Sequence, residues 1–340
     1  MKYYSNEIVF RGHPDKVCDQ ISDALLDECL RQDKNSRCGI ETAGGKGKIF
    51  ITGEVTTKAK LDVEKIAKRV LKDVGYSTNY EIINNLGTQS PDIALGTNEE
   101  VGGAGDNGMM FGYACRDTKE FLPTAMVILQ KLSREYDKLR KEDKRFLADG
   151  KAQITGLYEN NKLVKIKTFT ICYQNTEKER NVTDSIIKDI CNKICKEYDM
   201  TVDEYLINPT GKFEIGGFEG DAGLTGRKIV VDTYQSFAKV GGGAFSGKDP
   251  SKVDRSAAYK AREMAKEILN NNSDLQWVEV QLSYAIGKEE PLAIYIESDK
   301  GMIDAPKKYF DECKPRNIIK DLKLKTLSFE ERARFGHFVN

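Results

Sequence analysis

The pentapeptide Gly105-Asp106-Asn107-Gly108-Met109 returns 115 residues later as Gly220-Asp221-Ala222-Gly223-Leu224. The offset is about a third of the 340-residue chain, the spacing expected if three similar units follow one another. Gly-Asp-x-Gly also makes ordinary turns, so by itself the echo leaves open both a repeat and a coincidence of turn chemistry.

The patterns around it bear on the class. Asp15 to Gln32 reads as an amphipathic helix, with Val17, Ile21, Leu25 and Leu26 set against polar Asp19, Asp23 and Asp27. Further helices are expected over 61–74, closed by Gly75, and over 122–139, 182–198 and 256–269. Strands are expected over 49–55, 152–158, 163–173, 213–215, 228–232, 277–286 and 292–297, with Glu159-Asn160-Asn161 as a hairpin turn. Lys131 to Lys151 reads as a helix end followed by a solvated loop. Strand pairs and single helices mix without strict alternation, which favours α+β over a doubly wound parallel sheet.

Composition excludes several classes. Lys+Arg and Asp+Glu both number 53, so the formal net charge is zero, a poor basis for general polyanion binding. A hydrophobic fraction of 39% with 31% charged residues suits a folded chain with a core. No apolar run approaches the ~20 residues that span a bilayer, and Met1 to Glu7 lacks a signal-peptide core. The expectation is a cytoplasmic protein without membrane or nucleic-acid partners. Its eight cysteines, Cys191 and Cys195 among them, are then reduced thiols serving as small buried hydrophobes. His13 and His337 are the only histidines. A multi-histidine zinc site is excluded, and a hard cation must be held by carboxylates.

Three stretches carry chemistry. In Gly12-His13-Pro14-Asp15-Lys16, proline at the first helical position marks a helix N-terminus, where free N–H groups and the dipole favour an anion. His13 and Lys16 suit phosphate, and Asp15 suits Mg2+. The alternative is that Asp15 only complements the dipole. Gly241-Gly242-Gly243-Ala244-Phe245-Ser246-Gly247-Lys248 leads to Asp249, Lys252 and Asp254. Its glycines suggest close backbone approach to a ligand, and the mixed charges suit a polyphosphate with a metal. It is not a P-loop, because Asp249 stands where Ser or Thr must hold Mg2+. In Asp221 to Lys228, Arg227 and Lys228 follow two glycines into an expected strand, a place for anion contacts or for a solvated basic pair. Gly103 to Gly108 matches Gly-x-Gly-x-x-Gly but lacks the strand–turn–helix context of a dinucleotide site.

Together these stretches, with Gln89-Ser90-Pro91-Asp92-Ile93, Asn208-Pro209-Thr210-Gly211 and Ser283-Tyr284-Ala285-Ile286-Gly287, resemble the S-adenosylmethionine synthetase (methionine adenosyltransferase) family over nearly the whole chain, and in the family's order. The resemblance implies three pseudo-symmetric α+β domains, with helices on one face of each sheet. On the sequence these are drawn as 1–97, 98–219 and 220–340, with structural units free to be discontinuous. It also implies synthesis of S-adenosylmethionine from ATP and L-methionine. The methionine sulfur attacks C5′ of ATP, and the released triphosphate is hydrolysed to pyrophosphate and phosphate. About two Mg2+ per site and K+ are the implied cofactors. A homodimer or dimer of dimers with shared active sites is the implied assembly.

Carried over residue by residue, the resemblance assigns cation density around the phosphates to His13, Lys151, Arg227, Lys228 and Lys248; all five match ATP-contacting positions, and His13, Lys151, Arg227 and Lys248 form the catalytic set with Asp106. Asp149, Lys212, Phe213, Asp221 and Ala244 match ATP-contacting positions. Glu54, Gln89, Asp221 and Lys252 match methionine-contacting positions. Asp15 and Asp254 match Mg2+ ligands, and Glu41 the K+ ligand. Glu54 and Gln89 are expected to face Lys248 of a second chain. Lys212 replaces the family's usual Arg, Asn107 its usual Gln, and the segment between Ile93 and Gly103, similar to the family's lid, is short. A regulatory subunit of the same fold should have lost phosphate or metal residues, all of which are present here. An unrelated ATP-dependent kinase would transfer the γ-phosphate and make no sulfonium.

Overall fold

The computed structural model describes residues 1–88, 102–176, 178 and 180–338. Its strands are β1 (Lys2–Val9), β2 (Arg37–Gly45), β3 (Lys48–Thr56), β4 (Glu81–Gly87), β5 (Gly108–Cys115), β6 (Phe146–Glu159), β7 (Lys162–Asn175), β8 (Val202–Ile207), β9 (Gly223–Leu224), β10 (Trp277–Tyr284), β11 (Ala293–Ser298) and β12 (Gly301–Ile303). The helices are α1 (Pro14–Gln32), α2 (Val63–Val74), α3 (Thr124–Glu142), α4 (Arg180–Lys196), α5 (Ile229–Asp232), α6 (Val253–Asn271), α7 (Lys308–Glu312), α8 (Pro315–Asp321) and α9 (Phe329–Phe335).

The strands form three four-stranded sheets, ordered β1-β6-β7-β8, β12-β11-β10-β5 and β4-β3-β2-β9. Each is served by one long helix of 19 residues: α3 on the first, α6 on the second and α1 on the third. In every unit that helix precedes an antiparallel hairpin, β6–β7, β10–β11 or β2–β3. In two units a second helix follows and returns the chain to a parallel fourth strand, α4 to β8 and α2 to β4. The architecture is α+β in three similar units, as expected.

The Gly-Asp echo falls on equivalent places. Gly108 opens β5 and Gly223 opens β9, the outer strands added to the second and third sheets beside β10 and β2. The first sheet receives β1 in the same way, beside β6. These outer strands come from distant parts of the chain, so each sheet is discontinuous in sequence.

Local chemistry explains the element ends. Asn160 and Asn161 take φ of 50° and 64° at the β6–β7 turn, the left-handed pair that a two-residue hairpin needs. Gly75 closes α2 at φ 92°. Three expectations fail. Phe213 to Ile215 is irregular chain. Over 228–232 the chain forms the one-turn α5 (Ile229–Asp232), with Lys228 before its first residue, instead of a strand: the Asp232 N–H returns to the Lys228 carbonyl at 2.8 Å and the Asp232 carboxylate is drawn inward by Lys16 at 2.6 Å. Residues 146–151 are the start of β6, with Ala148 and Asp149 buried, where a solvated loop was expected.

The polar side of α1 is not a solvated face either. Asp15, Asp19, Asp23 and Asp27 recur every four residues, and each accepts a backbone N–H from another segment: Leu224, Gly226, Gly247 and Phe329 respectively, all at 2.8 Å. Asp27 also accepts from the Glu330 N–H and the Ser328 hydroxyl, both at 3.0 Å, and so holds the start of α9.

Burial lifts the Asp27 carboxyl from 3.8 to about 6, against the pull of these donors. A folded value above the unfolded one means that protonation stabilises the native state, and this contribution is lost as pH rises from about 4 through 6. Asp27→Asn does not titrate at this position. Its cost relative to wild type, measured by urea unfolding, should therefore be larger at pH 5 than at pH 7.5. Equal costs at the two pH values would contradict the assignment.

Candidate active site

Two clusters form, one at each end of a glycine-rich junction. The first surrounds the N-terminus of α1. His13 caps this helix, with Nδ1 accepting the Asp15 N–H at 3.2 Å, so Nε2 carries the proton of the neutral ring. Burial, aided by the Lys228 and Lys151 ammonium groups and opposed by Asp15 and Asp221, lowers the imidazole from 6.5 to about 4. His13 is therefore a neutral hydrogen-bond donor near pH 7 in the free chain, not one of the cations. Asp15 Oδ1 accepts the Leu224 N–H while Oδ2 meets Lys228 Nζ at 2.5 Å, and Arg227 Nε lies 3.7 Å from Oδ1.

Asp149 adjoins this group. Its Oδ2 accepts the Gly217 N–H at 2.7 Å. Burial raises its carboxyl to about 6, with Asp221 adding to the effect and Lys151 opposing it. His13, Asp15, Asp149, Lys151, Asp221, Arg227 and Lys228 thus share one neighbourhood. Phe213 is tied to the end of β7, its carbonyl accepting the Asn175 N–H at 2.9 Å. Lys212 beside it is exposed and paired with Glu214 at 3.1 Å.

The second cluster is built on β2 and the start of α6. Gly39 of β2 is flanked by Glu54 of β3 on one side and by Lys248 on the other. The resemblance placed Glu54 opposite Lys248 of a second chain. Within one chain the two residues flank the same glycine of β2. Lys248 Nζ pairs with Asp254 in the first turn of α6, and Lys252 is the residue capping that helix. The second-sheet end of the echo arrives here too: a methyl on Gly108 would lie 3.5 Å from Asp254 Oδ1. Asp106, two residues earlier, is exposed and accepts the Asn107 N–H at 2.7 Å. Glu41 lies two residues beyond Gly39 on β2, exposed and opposite Thr52. Gln89 and the 89–93 stretch lie outside the described residues.

Ala244 joins the clusters, since a methyl on Gly226 would meet its Cβ at 2.5 Å. Along β2 the register from Gly39, beside Lys248, to Ala43, beside Leu224, is four residues, roughly 13 Å of strand. One chain therefore presents two groups of opposite-charge pairs, not one closed pocket.

Among the described residues no group of three or more His, Cys, Asp and Glu side chains could cage a metal ion. Asp15 and Asp254 fit Mg2+ in another way. Each is a single hard oxygen donor facing a lysine, and Mg2+ is commonly held by one or two carboxylates plus substrate phosphates and water. Glu41 alone offers K+ a single exposed carboxylate.

Nearly the whole chain matches family models in three consecutive parts. Residues 1–91 match the N-terminal domain of S-adenosylmethionine synthetase, 101–213 the central domain and 215–340 the C-terminal domain. The chain belongs to the S-adenosylmethionine synthetase family. It is 44% identical to the S-adenosylmethionine synthase of Mesoplasma florum, covering 99% of this chain and 95% of that one. It is 41% identical to that of Clostridium tetani, covering 99% and 94%. Membership makes it an enzyme of the methionine adenosyltransferase class. No helix among the described residues is long and apolar enough to cross a membrane, and the described cysteines are all unpaired, Cys191 and Cys195 buried.

Sequence reasoning missed Asp19 and Asp23, which it assigned to a polar face. The signal was present in the four-residue spacing from Asp15 to Asp27, which on a helix aligns side chains. It also read the triple glycine as making room for a ligand. Two of the three make room for the protein: a methyl on Gly241 would lie 2.4 Å from the Met109 carbonyl oxygen, and one on Gly243 would lie 2.1 Å from the Asp254 carboxyl carbon. Gly242 has nothing within 4 Å. Gly242→Ala should melt like wild type, whereas Gly241→Ala and Gly243→Ala should each cost about 1–3 kcal/mol by overpacking. Thermal unfolding of the three variants checks this, and equal melting temperatures would refute it.

Proposed function

We propose that this chain makes S-adenosylmethionine by attack of the methionine sulfur on C5′ of ATP, with hydrolysis of the released triphosphate. The observation that carries the reading is the gathering of Lys151, Arg227 and Lys228 around His13 and Asp15 at a helix N-terminus, with a second lysine–carboxylate pair, Lys248–Asp254, across the glycine-rich junction.

A thioether is a modest, neutral nucleophile, so the barrier is governed by the leaving group. As the S–C5′ bond forms and the C5′–O5′ bond breaks, sulfur becomes positive and the triphosphate takes the electron pair. Lys151, Arg227, Lys228 and Lys248 stabilise that charge, and preorganised charge of this kind commonly contributes more to such catalysis than any other effect. His13 donates Nε2–H to a phosphate oxygen. Asp149 and Phe213 bound the nucleoside, Phe213 by stacking, with Lys212, Asp221 and Ala244 beside it. Glu54, Gln89 and Asp221 suit the methionine ammonium, and Lys252 its carboxylate. Asp106 stabilises the developing sulfonium. Mg2+ held by Asp15 and Asp254 would supply further neutralisation of the triphosphate. The assignment of K+ to Glu41 rests on resemblance, and no step is drawn through it.

The two clusters are also the two halves of a shared site, so the active form is a homodimer or a dimer of dimers. Glu54 and Lys248 lie in one half and Lys228 in the other. Mixing Lys228→Met with Lys248→Met after subunit exchange should restore activity, because one of the two sites then contains neither substitution. Mixing Glu54→Ala with Lys248→Met should restore none, because every site loses one of them. The reverse pattern would overturn the division into halves.

Incubation with ATP, methionine, Mg2+ and K+, followed by mass spectrometry, should show the sulfonium product together with pyrophosphate and phosphate. ADP with no sulfonium would point to a kinase. Asp15→Asn or Asp254→Asn should lower turnover on the order of a hundredfold or more while the protein stays folded. Near-normal turnover at saturating Mg2+ in either variant would remove that residue from the metal set.

A further inference from the structure

Lys248 reaches into the second cluster on a long, flexible side chain, yet the backbone carrying it is held from every side. The Gly247 N–H donates to Asp23 Oδ1 at 2.8 Å. One residue on, the Lys248 carbonyl accepts from Arg255 Nη1 at 3.2 Å. Asp23 and Arg255 meet each other in a two-pronged pair, 2.6 and 2.7 Å, with no exposure of either side chain. The Arg255 guanidinium carbon lies 4.0 Å from the Phe329 ring centroid, and Nε donates to the Tyr259 hydroxyl at 3.2 Å. The Lys248 N–H closes a turn on the Phe245 carbonyl at 3.2 Å, and the neighbouring groups are tied to β2, the Ile40 N–H to the Gly247 carbonyl and the Asp249 N–H to the Cys38 carbonyl, both at 3.1 Å.

We propose that Asp23 and Arg255 are positioning residues, a clamp between α1 and α6 that grips the Gly247–Lys248 backbone and so fixes where the Lys248 ammonium is delivered. The inference rests on the function proposed above. Its physical basis is twofold. A buried ion pair is a weak source of net stability and is often replaceable by apolar side chains, so its presence at this loop asks for a geometric reason. A reacting group also has to be held to within roughly half an ångström, which a lysine achieves only if its root is fixed. Gly247, at φ 82°, packs against β2 so closely that a methyl there would lie 1.9 Å from the Ile40 carbonyl oxygen.

The test uses Asp23→Asn, which keeps shape and an acceptor for Gly247 but removes the charge that orients Arg255. Arg255→Lys keeps charge but loses the fork. Each should speed amide hydrogen exchange at Gly247–Asp249 by about tenfold or more. Each should lower kcat by about 10- to 100-fold, with KM for ATP and methionine within about threefold of wild type. In a Lys248→Met background neither should lower kcat further, because the clamp acts through Lys248. Losses that multiply with Lys248→Met, faster exchange with unchanged kcat, or a lower kcat with unchanged exchange would each overturn the proposal. So would failure of both variants to fold, judged by circular dichroism, since the pair would then be a structural element only. A wild-type protein that makes no sulfonium would instead retire the proposed function, a result read before any variant is made.

Discussion

The molecule depends on one arrangement, the row of aspartates along α1. A loop that lies close to a helix in a buried setting leaves backbone N–H groups without partners, and such groups must find acceptors. Asp15, Asp19 and Asp23 solve this identically: one carboxylate oxygen takes a loop N–H, and a cation compensates the charge. The cations are Lys228, Lys16 and Arg255. Asp27 takes two N–H groups and a hydroxyl instead. Without a compensating partner, an ionised carboxylate in these positions would be costly to bury. The helix is thus the frame on which three otherwise independent segments, 223–228, 245–249 and 328–330, are assembled.

That frame explains where the candidate site lies. The 223–228 segment carries Arg227 and Lys228, and the 245–249 segment carries Lys248. Both are anchored to the same helix and both add to β2, at Ala43 and at Gly39. Exchange of outer strands among the three units makes this possible. β9 belongs in sequence to the last third of the chain but completes the sheet of α1, and it brings the adjoining basic residues with it. Chemistry-bearing residues from both ends of the sequence therefore converge on the junctions between units, while the unit interiors hold apolar cores.

Both clusters pair carboxylates with cations, which tempers each. Lys228 and Lys248 stand beside Asp15 and Asp254, so each carboxylate offsets one ammonium charge. His13 obeys the same restraint on charge: crowded by ammonium groups and buried, it stays neutral and offers a directed hydrogen bond. Clusters built this way limit self-repulsion among their own charges.

Much was legible in the residues alone. Apolar periodicity marked α1, β7, α6 and β10 to within a few residues, and the turn between β6 and β7, because long amphipathic elements carry their own pattern. The Gly-Asp echo pointed to three similar units, though the strands β5 and β9 that it opens were not expected from the sequence. The motifs also identified the family. What tertiary structure alone decided is of a different kind. Residues 228–232, rich in β-branched side chains, became a helical turn because Lys16, more than two hundred positions away, captured Asp232. Asp19 and Asp23 became buried anchors because distant backbone N–H groups came to meet them. Glu54 and Lys248 came to stand on either side of Gly39 because β3 and the 245–249 segment both pair with β2. Local pattern reports which face of an element is apolar, but a polar residue's role depends on which partner arrives, and that is set only when the chain has closed on itself.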